Sequence, residues 1–366
     1  MNPTSSTTLP LSALIPVLLA FLFTVGVACT VRYDAPLAEG TPAAEVPWLE
    51  QEAYPFVSHF LDVPGGKLHF VDEGPRGTSP IVFVHGTPTW SFLYRSIIKG
   101  LREDHRCVAF DHIGFGLSSK PPPESFGYAP QDHSENLVRL LDALDLTDVT
   151  LVVHDLGGPI GIGAALARPE RVARIVVVNS FAWSLAENEQ VQTIDRLLRS
   201  GFGEWLYLKR NISPEFLLPG AFSDDFELSE ETLRQYTHPF ADETTRSGLL
   251  QIGRGLLGSS AWYEELWAER EALGSRVQLL VFGLDDDFFG REAFETWRAR
   301  FPEARAIGLD GVGHFPQEEA PGELTQALRG LLALGANDDG HEQGNPSSRD
   351  PGERRPEAAA RRAAFQ

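Results

Sequence analysis

The chain has 366 residues, enough for one full-sized globular domain with a tail at each end. It carries 31 basic and 51 acidic residues, a net charge of -20, which argues against binding of nucleic acid, or of an anionic membrane, through a basic face. Two cysteines are too few for a disulfide framework, and the ten histidines show no H-E-x-x-H or comparable metal-ligand spacing. We therefore expect no metal and no other cofactor.

The N-terminus contains an apolar run, LSALIPVLLAFLFTVGVA at 11–28, that directly precedes Cys29. Its length fits the core of a signal peptide or a short membrane span. The ending GVAC is similar to a bacterial lipobox, which implies cleavage before Cys29 and lipidation of its thiol. An uncleaved anchor and an ordinary signal peptide are the alternatives. Each predicts an exported or membrane-anchored protein, with residues 1–28 as the leader or anchor and the Pro- and Ala-rich residues 29–52 as a linker.

The middle of the chain alternates short apolar runs with segments of helical periodicity. Residues 58–72 alternate apolar and polar positions around PGG, which predicts a β-hairpin. Buried strands are predicted at 81–84, 107–110, 149–153, 174–178 and 277–282, with a weaker one at 305–309. This order predicts the α/β class, with a mostly parallel sheet flanked by helices. We expect its core in two parts, 53–180 and 261–336.

The two parts of the core are separated by a different kind of sequence. Residues 181–260 have no strong strand signal and contain aromatic-rich helical pieces broken by prolines, which predicts a helical cap over the strand ends. One or two aromatic side chains facing the cleft would make a substrate pocket apolar, and Trp183 and Tyr236 are the candidates. Residues 337–366 lack an apolar face and are predicted to be disordered. The sequence does not indicate an oligomeric state.

A strand, a sharp turn and a small-residue helix follow one another in VTLVVHDLGGPIGIG at 149–163. This order is typical of a nucleophile elbow, which holds one side chain above the edge of a sheet, and the residue at its apex is Asp155. A carboxylate at that position can attack an electrophilic carbon and form an ester that water then cleaves. The alternative is that Asp155 only caps the helix that follows.

Polar residues follow three of the predicted strands. Asp155 comes after the first, an acidic residue within Asp285 to Asp287 after the second, and His314 after the third. Because parallel strands share one direction, their C-terminal loops gather at one edge of the sheet. Each residue alone could be structural, but nucleophile, acid and histidine is the chain order of the α/β-hydrolase triad. The three together predict a catalytic triad.

Residues 54 to 334 resemble the aspartate-nucleophile branch of the α/β-hydrolase superfamily. The resemblance is closest to the haloalkane dehalogenases and their relatives, which include β-lactone-cleaving enzymes. Five motifs carry it: HGTPTWSFLYR at 85–95, DHIGFGLSSKP at 111–121, VVHDLGG at 152–158, FGLDDDFF at 282–289 and GVGHFPQEEAP at 311–321. The resemblance implies a cofactor-free hydrolase that acts on a small apolar electrophile.

The same resemblance implies a role for individual residues. Asp155 corresponds to the nucleophile, His314 to the base that activates water, and Asp286 to the acid that orients the histidine. The oxyanion hole would be formed by the backbone N–H groups of Thr87 and Leu156.

Two positions depart from the dehalogenase pattern. These enzymes usually place a Trp directly after the nucleophile, where its indole N–H binds the leaving halide, and an Asn or Glu in the His-Gly-x-Pro loop; this chain has Leu156 and Thr87. Loss of one donor aimed at a developing anion costs about 3 to 4 kcal/mol of barrier. The Trp183 indole or the Thr87 hydroxyl could supply a donor instead.

Other substrates remain open. An epoxide would need cap tyrosines to protonate its ring oxygen, and the candidates are Tyr207, Tyr236 and Tyr263. A strained lactone or ester needs no halide site, because its leaving oxygen stays tethered. A different class of protein is also possible, namely a non-catalytic surface lipoprotein that binds an apolar ligand in the same pocket.

Overall fold

A single eight-stranded sheet organises residues 46–339, the part of the chain that the computed structural model describes. Its strands lie in the order β1-β2-β4-β3-β5-β6-β7-β8. Strands β1 and β2 form the predicted antiparallel hairpin, β2 pairs antiparallel with β4, and the five remaining pairings are parallel. The strands are β1 (His59–Val63), β2 (Gly66–Glu73), β3 (Ile81–Val84), β4 (Cys107–Phe110), β5 (Val149–Asp155), β6 (Val172–Ser180), β7 (Val277–Gly283) and β8 (Arg305–Leu309). The predicted mostly parallel α/β sheet is confirmed.

Helices cover both faces of this sheet. Outside the cap they are α1 (Arg95–Leu101), α2 (Pro130–Ala143), α3 (Gly157–Ala167), α9 (Arg291–Arg300), α10 (Pro316–Glu319) and α11 (Pro321–Asp339). The central strand β5 contributes Leu151 and Val153 to the apolar core under α2 and α3, and Val152 to the core under α1 and α11. Because both faces are buried, β5 is a continuous apolar run rather than an alternating one.

The segment between β6 and β7, residues 181–276, contains helices and turns. We call it the cap. Its α-helices are α4 (Glu189–Leu198), α5 (Gly201–Arg210), α6 (Glu230–Thr237), α7 (Ser247–Gly258) and α8 (Ser260–Ala268). The prolines at its helix breaks begin short turns, such as the one at Pro219–Ala221. This agrees with the Pro-interrupted helical pattern of the sequence.

At both ends of the domain the described structure extends beyond the predicted boundary. Residues 46–52 do not form a free linker, because Val46 and Leu49 are buried and Trp48 stacks on His238. At the other end α11 continues to Asp339, three residues into the segment predicted to be disordered, since a helix propagates more easily than it starts. The predicted leader, Cys29, the rest of the linker and residues 340–366 lie outside the described residues.

Within residues 46–339 no helix combines the length and the apolar character needed to cross a bilayer.

Candidate active site

Asp155 lies at the sharp turn between β5 and α3. Its backbone has φ = 52°, a left-handed conformation that few residues other than glycine adopt. Atoms of adjacent segments lie so close to this turn that two positions require glycine. A Cβ at Gly157 would lie 2.3 Å from the carbonyl oxygen of Val84, and a Cβ at Gly86 would lie 2.1 Å from Oδ1 of Asp155. The turn is also fixed from β6, because the Ser180 hydroxyl donates to the Asp155 carbonyl at 2.5 Å.

The structure brings the three residues of the predicted triad together. Nε2 of His314 lies 3.6 Å from Oδ2 of Asp155, and Nδ1 of His314 donates to Oδ2 of Asp286 at 2.7 Å. Of the three adjacent aspartates after β7, Asp286 is the buried one that contacts the histidine, whereas Asp285 and Asp287 are exposed. The side chains of Asp155 and His314 keep 9% and 7% of their surface accessible.

The electrostatics of the three groups depend on one another. Burial disfavours the charged imidazole, but Asp286 and Asp155 outweigh that effect and raise the pKa of His314 to about 10. Burial would raise the pKa of both carboxyls, yet contact with His314 holds each below its ordinary value. In the free protein the site is therefore an imidazolium between two carboxylates.

Backbone donors surround the Asp155 carboxylate. The N–H of Thr87 donates to Oδ1 of Asp155 at 2.9 Å, and the N–H of Leu156 also hydrogen bonds to this carboxylate. Thr87 lies in the loop after β3 and is joined to Pro88 by a cis peptide bond. The two N–H groups predicted to form an oxyanion hole thus both point at the same side chain.

Aromatic residues form a wall beside the triad. Phe289 lies 6.1 Å from the His314 ring and stacks on Phe181 at 4.7 Å, and Phe181 contacts Tyr263 edge-on. Burial, followed by the charge of Asp155, raises the pKa of Tyr263 well above its ordinary value, so this phenol stays neutral. The surroundings of Asp155 are therefore apolar, as expected for a cap that covers strand ends.

The predicted pocket residues Trp183 and Tyr236 have packing partners of their own. The Trp183 ring packs edge-on against Trp267 of α8 and contacts Trp297 of α9, so packing between these helices fixes its position. The Tyr236 ring is fully buried, and its hydroxyl donates to Glu318. A place for either side chain in the substrate pocket stays a prediction.

The cap is fastened to the segment that carries His314. The backbone N–H of His314 donates to the carbonyl of Ala221 at 2.9 Å, and the N–H of Ser223 donates to Glu319 at 3.1 Å. Tyr236 of α6 reaches Glu318, which also binds the buried Arg95 of α1 through both guanidinium N–H groups. These contacts join α1, the cap and the His314 segment into one unit.

Asn179 belongs to the site but was not predicted from the sequence. It is fully buried near the end of β6, where its amide donates to Oδ2 of Asp286 at 2.9 Å and to the Gly283 carbonyl, while its Oδ1 accepts from the Gly283 N–H. Asn179 thus fixes both the Asp286 carboxylate and the end of β7. Its position at the C-terminal end of a predicted parallel strand is the signal that could have identified it.

Four buried histidines have ring pKa values that burial lowers. The pKa of His85 falls to about 4, those of His133 and His154 to about 3, and that of His112 well below its ordinary value. All four are neutral in the folded protein at neutral pH. His314 is the opposite case, because its pKa is raised.

We expect thermal stability to be greatest near pH 6.5 and to fall on both sides. Below about pH 6.5 the four histidines become protonated in the unfolded chain but stay neutral in the folded protein. The free energy of unfolding therefore falls by up to about 1.4 kcal/mol per pH unit for each ring. Above it, the stability contributed by the raised pKa of His314 is lost progressively toward pH 10. Thermal melts at constant ionic strength measure both slopes.

A single substitution tests the acid side of this profile. Neither ring nitrogen of His133 has a hydrogen-bond partner within residues 46–339, and the ring packs against Phe115 and Phe126. We expect His133→Phe to flatten the decline between pH 7 and 5. A melting temperature of the parent that is constant over that range would contradict the assignment of neutral buried histidines.

No group of three or more His, Cys, Asp or Glu side chains among residues 46–339 is arranged to hold a metal ion.

The sheet, the elbow and the triad order together define an α/β hydrolase. A family model described as the alpha/beta hydrolase fold matches residues 79–321. The chain is 33% identical over 281 residues to haloalkane dehalogenase 2 of Mycobacterium tuberculosis, covering 76% of this chain and 96% of that protein. It is 30% identical over 284 residues to a cis-3-alkyl-4-alkyloxetan-2-one decarboxylase of Shewanella oneidensis, covering 76% and 89%.

Solved structures agree with this relationship. The haloalkane dehalogenase DatA of Agrobacterium tumefaciens superimposes with a TM-score of 0.67 at 28% identity, covering 76% of this chain and 96% of that one. The chain therefore belongs to the α/β-hydrolase family. Within it, the protein is a hydrolase of the haloalkane-dehalogenase-like group.

Proposed function

We propose that this enzyme hydrolyses a small apolar electrophile through an ester formed on Asp155. The observation that carries the proposal is the continuous line of contacts from Asp155 through His314 to Asp286, with backbone N–H groups of Thr87 and Leu156 on the same carboxylate. A non-catalytic lipoprotein would have no need to keep an imidazole between two buried carboxylates.

In the first step Asp155 attacks a carbon atom of the substrate. The lowered pKa keeps this carboxyl ionised, and Oδ1 is held by the Thr87 N–H, so Oδ2 is the oxygen available for attack. A bond forms from Oδ2 to the substrate carbon, and the leaving group departs with the electron pair of the bond that breaks. The product is an uncharged ester in which Oδ1 becomes the carbonyl oxygen.

The second step uses His314. Ester formation removes the charge of Asp155, one of the two carboxylates that raise the pKa of His314, so the imidazolium can release its Nε2 proton to the departing oxygen of a ring substrate, or to bulk water when a halide leaves. The neutral Nε2 then takes a proton from a water molecule, and the hydroxide attacks the ester carbonyl carbon. Negative charge on Oδ1 meets the N–H groups of Thr87 and Leu156. Collapse of the intermediate breaks the bond between the carbonyl carbon and Oδ2, and the departing alkoxide takes the proton from His314 to give the alcohol. The carboxylic acid left on Asp155 then returns its proton to His314, while Asp286 keeps the ring in position.

The residue after Asp155 limits the leaving group. Leu156 is 1% exposed beside Asp155 and has no side-chain donor, and the Trp183 indole packs against other tryptophans. A free halide leaving this site would therefore lack the usual second N–H donor. A strained lactone or an epoxide is the second candidate class, because ring opening leaves the departing oxygen attached to the ester. The resemblance to an oxetanone decarboxylase is compatible with it.

A panel of substrates tests both parts of the proposal. We would incubate the protein with 1-bromobutane, 1,2-epoxyhexane and 4-methyloxetan-2-one and measure bromide, diol and hydroxy acid. We expect hydrolysis of at least one ring substrate at a higher kcat/KM than that of the bromoalkane. Faster bromide release than ring opening would contradict the argument from Leu156. Inactivity toward the whole panel would favour the non-catalytic alternative.

We expect Leu156→Trp to raise dehalogenation of 1-bromobutane by about 10²-fold, since one well-placed donor is worth roughly 3 to 4 kcal/mol. Bromide release gives the rate. The matched control is Leu156→Phe, which adds a ring without an N–H and accounts for the larger volume at this buried position. Equal rates in the two variants would show that ring size, and not the donor, changes the activity.

We also propose that the N-terminus attaches the enzyme to a membrane, facing the periplasm or cell surface. The support is the apolar run at 11–28 followed by Cys29. Growth of expressing bacteria with an alkyne-labelled fatty acid tests it: the parent should incorporate the label and Cys29→Ser should not. Absence of label from the parent, with the protein still in the membrane fraction, would indicate an uncleaved anchor instead.

A further inference from the structure

Three large apolar side chains lie side by side on the outside of the cap. Leu197 at the end of α4 is 36% exposed, and Phe202 and Trp205 of α5 are 49% and 40% exposed. The rings of Phe202 and Trp205 stack with centroids 6.0 Å apart, and the Leu197 side chain lies against Gly203. We call these three side chains the hairpin patch. Clustered exposed aromatic and aliphatic side chains indicate a contact surface.

The α4–α5 hairpin is less acidic than the chain as a whole. Residues 189–210 contain four basic and three acidic residues, in a protein of net charge -20. Arg199 pairs with Asp195 and Lys209 with Glu243. Of the other two cations, the Arg210 guanidinium lies 5.8 Å from the centre of the Trp205 ring, and Arg196 donates to the hydroxyl of Thr193. The total charge argued against a basic membrane-binding face, but the hairpin itself carries no net negative charge and places two arginines beside the hairpin patch.

The hairpin patch belongs to the outer layer of the cap. Helices α4 and α5 both pack on α7, and the carbonyl of Gly255 in α7 accepts a hydrogen bond from Tyr263 beside the triad. Helix α7 therefore lies between the hairpin and the site. Helices with Trp, Phe and Leu beside Lys and Arg are typical of segments that lie in the interface of a lipid bilayer.

The sequence places an apolar segment within reach of this surface. The run at 11–28 ends 17 residues before Val46, where the described part of the chain begins. Seventeen residues span at most about 60 Å when fully extended. A domain attached by such a segment stays within that distance of the membrane, so a weak surface contact is strongly favoured by the high local concentration of lipid.

We propose that the hairpin patch docks on an anionic lipid bilayer. Leu197, Phe202 and Trp205 enter the headgroup region, and Arg196 and Arg210 bind lipid phosphates. This interaction goes beyond the hydrolytic function and does not depend on its chemistry. It orients the cap toward the membrane, so that apolar molecules dissolved in lipid reach the cap without crossing bulk water.

The test uses the full chain reconstituted into phosphatidylcholine vesicles with 30% phosphatidylglycerol, with and without brominated lipid as a quencher of tryptophan fluorescence. We expect a quenched fraction that falls at least twofold in Trp205→Phe and in the double variant Leu197→Ser with Phe202→Ser. The double variant Arg196→Gln with Arg210→Gln should lose quenching in the same vesicles. Val57→Ser, which alters an exposed apolar residue before β1, is the control and should leave quenching unchanged.

Two results would overturn the proposal. One is equal quenching in the parent and in Trp205→Phe. The other is a parent that is dimeric in detergent and becomes monomeric in the Leu197→Ser, Phe202→Ser variant with no change in quenching, since the patch would then join two copies of the chain. Hydrolysis of the substrate panel is measured in parallel. An inactive parent with intact Trp205 quenching would remove the proposed chemistry and leave the membrane contact standing.

Discussion

Replacement of His314 by glutamine is expected to stop turnover after one chemical step and to leave an ester on Asp155. The first step needs only the ionised carboxylate, whereas cleavage of the ester needs a base at the position of Nε2. We expect the intact protein to gain the mass of one substrate-derived group, and the peptide that contains Asp155 to carry it. Intact-protein and peptide mass spectrometry measure this gain.

A matched control for His314→Gln is His105→Gln, which changes a half-buried histidine between α1 and β4. It should keep both turnover and an unmodified Asp155 peptide. Sustained multiple turnover by His314→Gln would contradict the role of this imidazole. Modification of a peptide other than the one with Asp155 would contradict the assignment of the nucleophile.

The second large effect is expected for Asp155→Asn. Asparagine keeps an oxygen for the N–H of Thr87 but cannot form the ester, so we expect kcat/KM to fall by about 10⁴-fold or more and no mass gain. The same change removes one of the two carboxylates that raise the pKa of His314. Loss of stability on the alkaline side should therefore still begin near the ordinary histidine pKa of about 6.5 but end at a lower pH in this variant.

Asp285→Asn is the control for Asp155→Asn, because it removes a carboxylate that is exposed in the loop beside the triad. We expect its activity and its pH profile of stability to match those of the parent. Unchanged hydrolysis in Asp155→Asn, measured on the substrate that the parent cleaves best, would refute the proposed mechanism.

The sheet and the triad positions could be predicted because their signals are local. Strands β3 to β7 are short apolar runs. The residues at their C-terminal ends lie at one edge of the sheet, and this placement does not depend on the conformation of the loops between the strands. The choice among Asp285, Asp286 and Asp287 came from the family resemblance alone. Only the structure separates them, because one of three adjacent side chains turns inward to His314 and the direction of each depends on the loop conformation.

The cap residues could not be predicted in the same way. Trp183 and Tyr236 were predicted to line the pocket because they are aromatic and lie in the inserted segment, whereas the partners of a side chain in an insertion depend on which helices pack together. The Trp183 ring packs against tryptophans of α8 and α9, which lie more than 80 residues away in the sequence, and the Tyr236 hydroxyl donates to Glu318. The residues that line the triad, such as Tyr263 and Phe289, carry no sequence signal that distinguishes them from their neighbours.

The contacts between the cap and the His314 segment restrict how substrates enter the site and how products leave it. If the cap opened as a rigid lid, the hydrogen bond from Tyr236 to Glu318 and the one from the His314 N–H to the Ala221 carbonyl would break. The buried ion pair between Arg95 and Glu318 would also become exposed to solvent. The same motion would displace the imidazole from its partners. Substrates are therefore expected to reach Asp155 through rotation of the side chains around it, so that the width of a molecule, and not an opening of the whole cap, decides whether it enters.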